Sequence, residues 1–320
     1  MTLTLAIPCH DDAEPLARLL ARARALGCFD HVVVVDDGSP RPLAAGALCA
    51  ATGLAPSALT LIRHDTARGP GPARNRALAA VETDHVLFMD ADDLPTGELV
   101  PLLADLAGRS FDFCLFAHHD SRRDQEAAWG QMPWDQALWE AAGVGLGALS
   151  EVTPDGAAHL ARTANYPWNK IYRTAFLRAH GIGCSEILLH EDVELHWRSF
   201  LHAQSILASD RIGVIHVVAH KGDRLTNRET PERLEVFDPL ARLAAEIGDT
   251  PPYALPFARF ALGLAAWIGD NIAPAHRSRL AALTRDFAET RLPPGLLAEI
   301  AAADPGLMAH VLPDMLPETA

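Results

Sequence analysis

The sequence predicts an α/β fold: a mostly parallel sheet flanked by helices, followed by an all-helical C-terminal extension. Three observations predict it. Short apolar runs rich in β-branched residues alternate with segments of helical period as far as about residue 218, the pattern of strands joined by crossover helices. Beyond Pro231 the strand pattern stops and only helical period continues. The 320 residues, 49% hydrophobic and 21% charged, exceed what one ordinary core requires and exclude wholesale disorder.

Taken in order, residues 3–8 form an apolar run that stops at Pro8. Leu16, Leu19, Leu20, Ala23 and Leu26 then recur at helical spacing. Residues 31–36 hold four consecutive valines, as a strand buried on both faces does. A weaker helix follows over about 42–52, a third strand over 59–63, a helix over 74–81 and a fourth strand over 85–89 that ends in acid. A helix over 96–107 precedes an apolar strand over 111–117. The stretch 118–166 is irregular and carries Trp129, Trp134 and Trp139; such tryptophans more often pack in a core. Order returns over 168–180 and again over 191–202, where Val193, Trp197, Phe200 and Leu201 share a helical face. Two short strands are expected over 206–208 and 212–218. The change in character near 221–231 divides the chain into a domain of residues 1–225 and a helical domain or extension of residues 226–320.

Composition excludes several classes of function. The 27 Lys+Arg against 41 Asp+Glu give a net charge of −14, without the basic footprint of a nucleic-acid binder. No local basic patch suits an anionic lipid surface. The five cysteines are odd in number, scattered and without a C-x-x-C pair, so a disulfide framework or thiolate zinc site is not expected. No signal-like leader or membrane span is evident; the apolar stretch 253–268 is broken by Pro256 and Arg259. A cytoplasmic protein, or one peripheral at the inner face of the membrane, is the expectation.

Ligands of open α/β sheets bind at the carboxyl ends of the strands. Here strand two ends in Asp36-Asp37-Gly38-Ser39 and strand four in Asp90-Ala91-Asp92-Asp93. Two acidic clusters on one edge repel each other unless a cation lies between them. Hard oxygen donors suit Mg²⁺ or Mn²⁺ bridging to a phosphorylated substrate, and loop solvation with helix capping is the plainer alternative. Between the clusters lies Arg68-Gly69-Pro70-Gly71-Pro72-Ala73-Arg74-Asn75-Arg76. It imitates a dinucleotide fingerprint, but Arg74 occupies the third glycine position and two prolines remove backbone donors. Arg74 and Asn75 instead offer side-chain donors, or merely an exposed helix start. A third constellation, Leu189-His190-Glu191-Asp192, opens an amphipathic helix. The helix dipole is expected to hold Asp192 ionised, as a general base or simply as a cap. The fifteen histidines include no H-E-x-x-H, so zinc catalysis is rejected.

These elements, in this order, resemble the family 2 glycosyltransferases with their GT-A fold. The resemblance covers about residues 1–225. It is carried by Ile7-Pro8 with Glu14 downstream, V-V-V-D-D-G-S at 33–39, G-P-A-R-N at 71–75, F-M-D-A-D-D at 88–93, N-K-I-Y-R-T-A-F at 169–176 and H-E-D-V at 190–193. It implies that Pro8, Asp36, Asp37, Arg74 and Asp90 line the nucleotide site and that Asp92 ligates a divalent metal, Mn²⁺ or Mg²⁺, with His220 a further candidate contact. It implies Asp192 as the catalytic base and Asp93, Glu191, Trp168 and Asn169 on the donor- or acceptor-sugar side. His10-Asp11 replaces the family's usual Tyr-Asn, and Pro40-Arg41-Pro42 replaces a small polar run. No Gln-x-x-Arg-Trp signature occurs, which favours single addition over processive synthesis.

The resemblance therefore implies inverting, metal-assisted transfer from a nucleotide-diphosphate sugar, a UDP-sugar by default. The acceptor is a hydroxyl on a glycan, a lipid-linked or another molecule. A non-catalytic nucleotide- or glycan-binding member and a nucleotidyltransferase are the alternatives. The second is disfavoured by the loop Pro8-Cys9-His10-Asp11-Asp12, which lacks clustered glycines and a lysine.

Overall fold

The structure, a computed structural model, describes residues 1–145, 149–218 and 225–313, apart from the side chain of Thr226. The first half runs β1 (Leu3–Cys9), α1 (Ala13–Leu26), β2 (His31–Asp37), α2 (Ala45–Thr52), β3 (Leu59–His64), α3 (Pro70–Ala80), β4 (His85–Phe88), β5 (Leu94–Pro95), α4 (Leu99–Leu106) and β6 (Phe113–Asp120). It continues through α5 (Pro133–Ala141), β7 (Leu149–Glu151), α6 (Pro154–Leu160), β8 (Lys170–Arg173), α7 (Thr174–Ala179), α8 (Val193–His202) and β9 (Ile206–His216). The described elements after residue 225 are helical: α9 (Phe237–Ile247), α10 (Ala254–Asn271), α11 (Arg277–Arg291), α12 (Pro294–Ala303) and α13 (Pro305–Val311), with short 3₁₀ turns between.

All the described strands share one sheet, in the order β3-β2-β1-β4-β8-β6-β9-β5, with β7 also on β9. The expected alternation holds through β4, where β3, β2, β1 and β4 are parallel. The other side is mixed. β8 runs antiparallel between β4 and β6, β9 is parallel to β6, and β5 and β7 pair antiparallel with opposite ends of β9. Pro8 is tolerated inside β1 because pairing with β4 ends at Ala6, so its missing N–H falls beyond the ladder.

Strand alternation sorts the core. Leu5, Ile7, Val32 and Val34 join α1 and α4 on one face, while Ala6, Val33 and Val35 join α3 and α8 on the other. The helical tail packs on this second face. Trp197 of α8 meets Phe257 of α10 edge-on at 5.1 Å, and Arg242 of α9 forms a bidentate pair with Glu194 at 2.8 and 2.9 Å.

Element bounds change in detail: the helix expected over 74–81 starts earlier, at Pro70, and the strand expected over 111–117 runs to Asp120. The helices expected over 42–52 and 96–107 start later, at Ala45 and Leu99. The two strands expected over 206–208 and 212–218 form one strand, β9, with irregular register opposite Phe116–His118. A Cβ on Gly213 would lie 2.6 Å from the Phe116 ring, so only glycine lets the strand pass there.

Candidate active site

The carboxyl ends of β1, β2 and β4 lie side by side, so the two acidic strand ends share one edge as the sequence predicts. The carboxylates differ in what they touch. Asp36 is fully buried and accepts from Ser39 N–H at 2.9 Å, Leu43 N–H at 3.0 Å and the Arg63 guanidinium. Against the cost of burial, these donors hold it below the ordinary carboxylate range. Asp37 accepts from Arg68 N–H at 3.0 Å and Gly69 N–H at 2.8 Å, with His64 Nδ1 at 2.7 Å. His10, the departure at the end of β1, bonds the Asp37 carbonyl through Nδ1 at 2.7 Å. Gly38 is required here: its φ is +67°, and a Cβ would lie 2.4 Å from the amide nitrogen of Ala67. Asp36 and Asp37 thus shape the loops around the expected nucleotide site. Pro8 is buried beside them at the end of β1.

The glycine-rich segment builds a different device. Gly71 lets the first turn of α3 press on the Ser185 carbonyl, which would lie 2.2 Å from an added Cβ. Asn75 then exchanges two hydrogen bonds with the Cys184 backbone, each 2.8 Å. Arg74 is no exposed helix start. It is buried, with Nη2 donating to Asp90 Oδ1 at 2.5 Å and Nη1 donating to Glu191 Oε1. Burial disfavours its charge, but the two carboxylates overcompensate and raise its pKa well above the usual guanidinium value. Arg74 therefore ties the strand-four acids to the His190-Glu191-Asp192 turn, reaching Glu191 across 117 residues of sequence.

That turn enters α8 through a left-handed residue, His190, with φ +63°. Ser185 N–H donates to the Glu191 carbonyl at 2.7 Å and fixes the turn against α3. Burial pushes the Glu191 carboxyl upward against the pull of Arg74. Asp192 occupies the N-cap position but its side chain caps nothing; it accepts instead from Asn165 Nδ2. The expectation that the dipole keeps it ionised does not hold. Burial, with Glu191 beside it, raises Asp192 to about 8, because a dipole term of about 0.3–1 kcal/mol is smaller than the cost of desolvation.

The four residues expected on the sugar side, Asp93, Glu191, Trp168 and Asn169, are all buried. Asp93 is fully buried and accepts from Val217 N–H at 2.9 Å, with His216 Nδ1 at 3.0 Å. Burial raises Asp93, and the Asp93 charge raises His216 against that imidazole's own desolvation. Trp168 is buried in a cluster with Tyr166 at 4.3 Å and His216 at 5.0 Å, which are themselves 5.1 Å apart, so it presents no open face. Asn169 is buried and accepts from Lys170 Nζ at 2.8 Å, and Glu191 is committed to Arg74.

Asn165 and Lys170 escape sequence reading. The Asn165 contact with Asp192 joins an irregular segment to a helix start 27 residues away, and nothing local announces it. Lys170 lies inside the N-K-I-Y motif, yet its burial is invisible in sequence. Its ammonium donates to the Tyr166 carbonyl at 2.7 Å, and burial pushes it down to about 7.

The acid set fits a divalent ion of the expected kind. Asp90 and Asp92 are partly exposed at the edge and offer hard oxygen donors. Among the described residues no three His, Cys, Asp or Glu side chains converge as a closed metal cage. One or two carboxylates completed by phosphate and water is the usual arrangement for Mg²⁺. His220 lies outside the described residues. All five cysteines are free thiols, and no described helix is long and apolar enough to cross a membrane.

With this geometry, similarity to known proteins takes on meaning. Residues 4–162 match the family described as glycosyl transferase family 2. A pre-mycofactocin glycosyltransferase of Mycobacterium tuberculosis is 37% identical over 97 residues, 29% of this chain and 18% of its own length. The succinoglycan biosynthesis protein ExoW of Rhizobium meliloti is 40% identical over 99 residues, 29% of this chain and 30% of its own. The chain thus spans less than a third of the length of these curated relatives. Among solved structures, residues 1–349 of S. aureus TarS in complex with UDP-GlcNAc superpose with a TM-score of 0.73 at 20% identity, over 93% of this chain and 83% of that one. The mannosyltransferase PcManGT of Pyrobaculum calidifontis, in complex with GDP-Man and Mn²⁺, gives 0.54 at 19% identity over 94% and 79%. These likenesses establish the GT-A fold.

Proposed function

We propose, from the premise that residues 4–162 belong to glycosyl transferase family 2, that the protein transfers one sugar from a nucleotide diphosphate to an acceptor hydroxyl with inversion. The observation that carries this reading is the buried Arg74 bridge. It sets Asp90, at the strand end where ligands bind, and Glu191, next to Asp192, on one guanidinium. Nucleotide-side acid and base-side acid are thereby held in fixed register.

Asp192 takes the proton of the attacking hydroxyl, which bonds to the sugar carbon opposite the departing diphosphate. A base near neutral pKa is a better proton acceptor than an ordinary carboxylate, and positioned base catalysis is worth about 10²–10⁴-fold. The pKa of about 8 therefore suits the role. Asn165 orients the carboxylate, and Arg74 keeps a positive charge beside the site where negative charge develops. Asp92, with Asp90 beside it, would hold Mn²⁺ or Mg²⁺. Bound there, such an ion supplies charge neutralisation of the leaving diphosphate. Asp37, Asp36 and Pro8 frame the nucleotide through the loops they order. We assign the catalytic unit to residues 1–225 and the extension to residues 226–320, and place the reaction in the cytoplasm.

The bound nucleotides of the solved GT-A neighbours, UDP-GlcNAc in TarS and GDP-Man in PcManGT, support a nucleotide-sugar donor, with a UDP-sugar as the first to test. The test is a panel of UDP-, GDP- and TDP-sugars with and without Mn²⁺, scored by thermal stabilisation and nucleoside diphosphate release. Metal-dependent stabilisation by one nucleotide and release of its diphosphate are expected, with release abolished in Asp192→Asn. Diphosphate release by Asp192→Asn at the native rate would refute the base.

A further inference from the structure

Arginine supplies almost all the positive charge of this chain: of its 27 basic residues only Lys170 and Lys221 are lysine. Lys170 is also fully buried, at 0% exposure, where a charged side chain is rarely found. Strand alternation turns it, with Tyr172, toward the face of the sheet that carries α8, while Ile171 joins the opposite core. Its amine folds back over the 3₁₀ turn Pro167–Asn169 and donates to the Tyr166 carbonyl at 2.7 Å and to Asn169 Oδ1 at 2.8 Å. Both acceptors are neutral. Burial pushes the amine down to about 7, against the pull of Asp192 and Asp135.

These bonds matter because of what the turn carries. Asn165, whose Nδ2 holds Asp192, belongs to no helix or strand that would fix its backbone. It is fixed from its two flanks instead. On one side the buried Asp135 carboxylate accepts from Ala164 N–H at 2.9 Å; on the other Lys170 holds the Tyr166 carbonyl. The Tyr166 ring adds a third hold, packed on Trp168 at 4.3 Å and on His118 at 5.5 Å.

We infer that Lys170 is a positioning residue for the transfer: its two hydrogen bonds hold the backbone that presents Asn165 to Asp192, and so fix where the proton of the acceptor is taken. The inference rests on the reading of Asp192 as the base. The choice of lysine has a chemical reason. An arginine keeps its charge at any protein site, whereas a lysine that gives up its proton still offers two N–H donors. Two is the number that Tyr166 and Asn169 take up. The tether therefore holds on either side of neutrality, with no permanent charge near a carboxylate whose own charge changes in every cycle. The titratable groups that face the amine are Asp192 and His196 at the start of α8, Asp135 of α5 and His118 of β6. They act on its charge and leave its two bonds in place.

The test uses the full chain with Lys170→Met, which keeps the stem and loses both donors, alone and combined with Asn165→Ala. In either single variant kcat for nucleoside diphosphate release should fall about 10–100-fold, with donor KM unchanged. Because the two changes break one device, the double variant should match the slower single one within about twofold. A multiplied loss, an unchanged kcat or a loss confined to KM overturns the role. Asn169→Leu removes one acceptor and spares the amine, which keeps the test decisive if Lys170→Met does not fold. Its loss should be smaller and equally non-additive with Asn165→Ala, and the same results overturn the role there. A second readout needs no turnover. The chain has five asparagines, so ¹⁵N-asparagine labelling resolves the Asn165 side-chain amide, identified by its loss in Asn165→Ala. Its shift should follow the titration of Asp192 in the parent and lose that response in Lys170→Met or Asn169→Leu. A response that persists in both overturns the tether. If the amide behaves as expected while no donor ever releases nucleoside diphosphate, the tether stands and it is the transferase reading that fails.

Discussion

Replacing Arg74 by Met tests the bridge on which the site depends. The substitution keeps the aliphatic stem and removes the charge between Asp90 and Glu191. Removing one partner of a buried pair costs about 3–5 kcal/mol, because the other charge is left without compensation. Glu191 is the buried partner. Asp90, about a third exposed at its side chain, is screened by solvent and adds no more than about 1 kcal/mol. The expected loss at neutral pH is therefore about 3–5 kcal/mol, read by urea unfolding followed through tryptophan fluorescence. It should depend on pH. Without the guanidinium, Glu191 keeps its proton in the folded chain and releases it on unfolding, so stability falls as pH rises above the unfolded carboxylate value. The slope approaches about 1.4 kcal/mol per pH unit, or up to about 2.7 kcal/mol between pH 5 and pH 7, relative to the parent. Arg74→Met/Glu191→Gln has no buried charge left and should recover most of the loss together with its pH dependence. A loss under about 1 kcal/mol at every pH, or a double variant no more stable than the single one, would show that the bridge is not the clamp inferred here.

Other outcomes follow from the same contacts. Asn165→Ala should lower kcat by about 10–100-fold through misplacement of Asp192 while leaving nucleotide stabilisation intact; unchanged kcat would remove Asn165 from the site. Because Asp192 must be ionised to accept a proton, kcat/KM should rise with pH through an ascending limb near pH 8 and level off above it. Asp192→Asn should remove that limb along with the activity, and a flat profile in the parent would contradict the assignment. Asp92→Ala should abolish the Mn²⁺-dependent part of nucleotide stabilisation, measured by melting shifts with metal or EDTA. Gly71→Ala forces a methyl onto the Ser185 carbonyl and should cost about 1–3 kcal/mol or more, seen as a lowered unfolding midpoint.

The alternation of strands and helices, the acidic strand ends and the glycine-rich approach to α3 are all local patterns, written in spacings of a few residues. Hydrophobic period and turn chemistry act over such distances, so the α/β architecture, the edge bearing Asp36, Asp37, Asp90 and Asp92, and the helical C-terminal region were legible without coordinates. What each polar group spends its bonds on was not. Arg74 reads as a nucleotide contact or an exposed helix start, yet it is a buried clamp because Glu191 arrives from 117 residues away. Asp192 reads as an ionised cap, yet burial beside Glu191 lifts it to about 8. Trp168 reads as a sugar contact but is buried in a cluster with Tyr166 and His216, while Trp129 and Trp134, of the kind more often found in a core, stand open to solvent. Sequence by itself determined which chemistry is present and on which edge of the sheet it lies. Tertiary structure decided which of those groups are buried and what each is bonded to, since burial and long-range pairing are set only when distant segments close on one another.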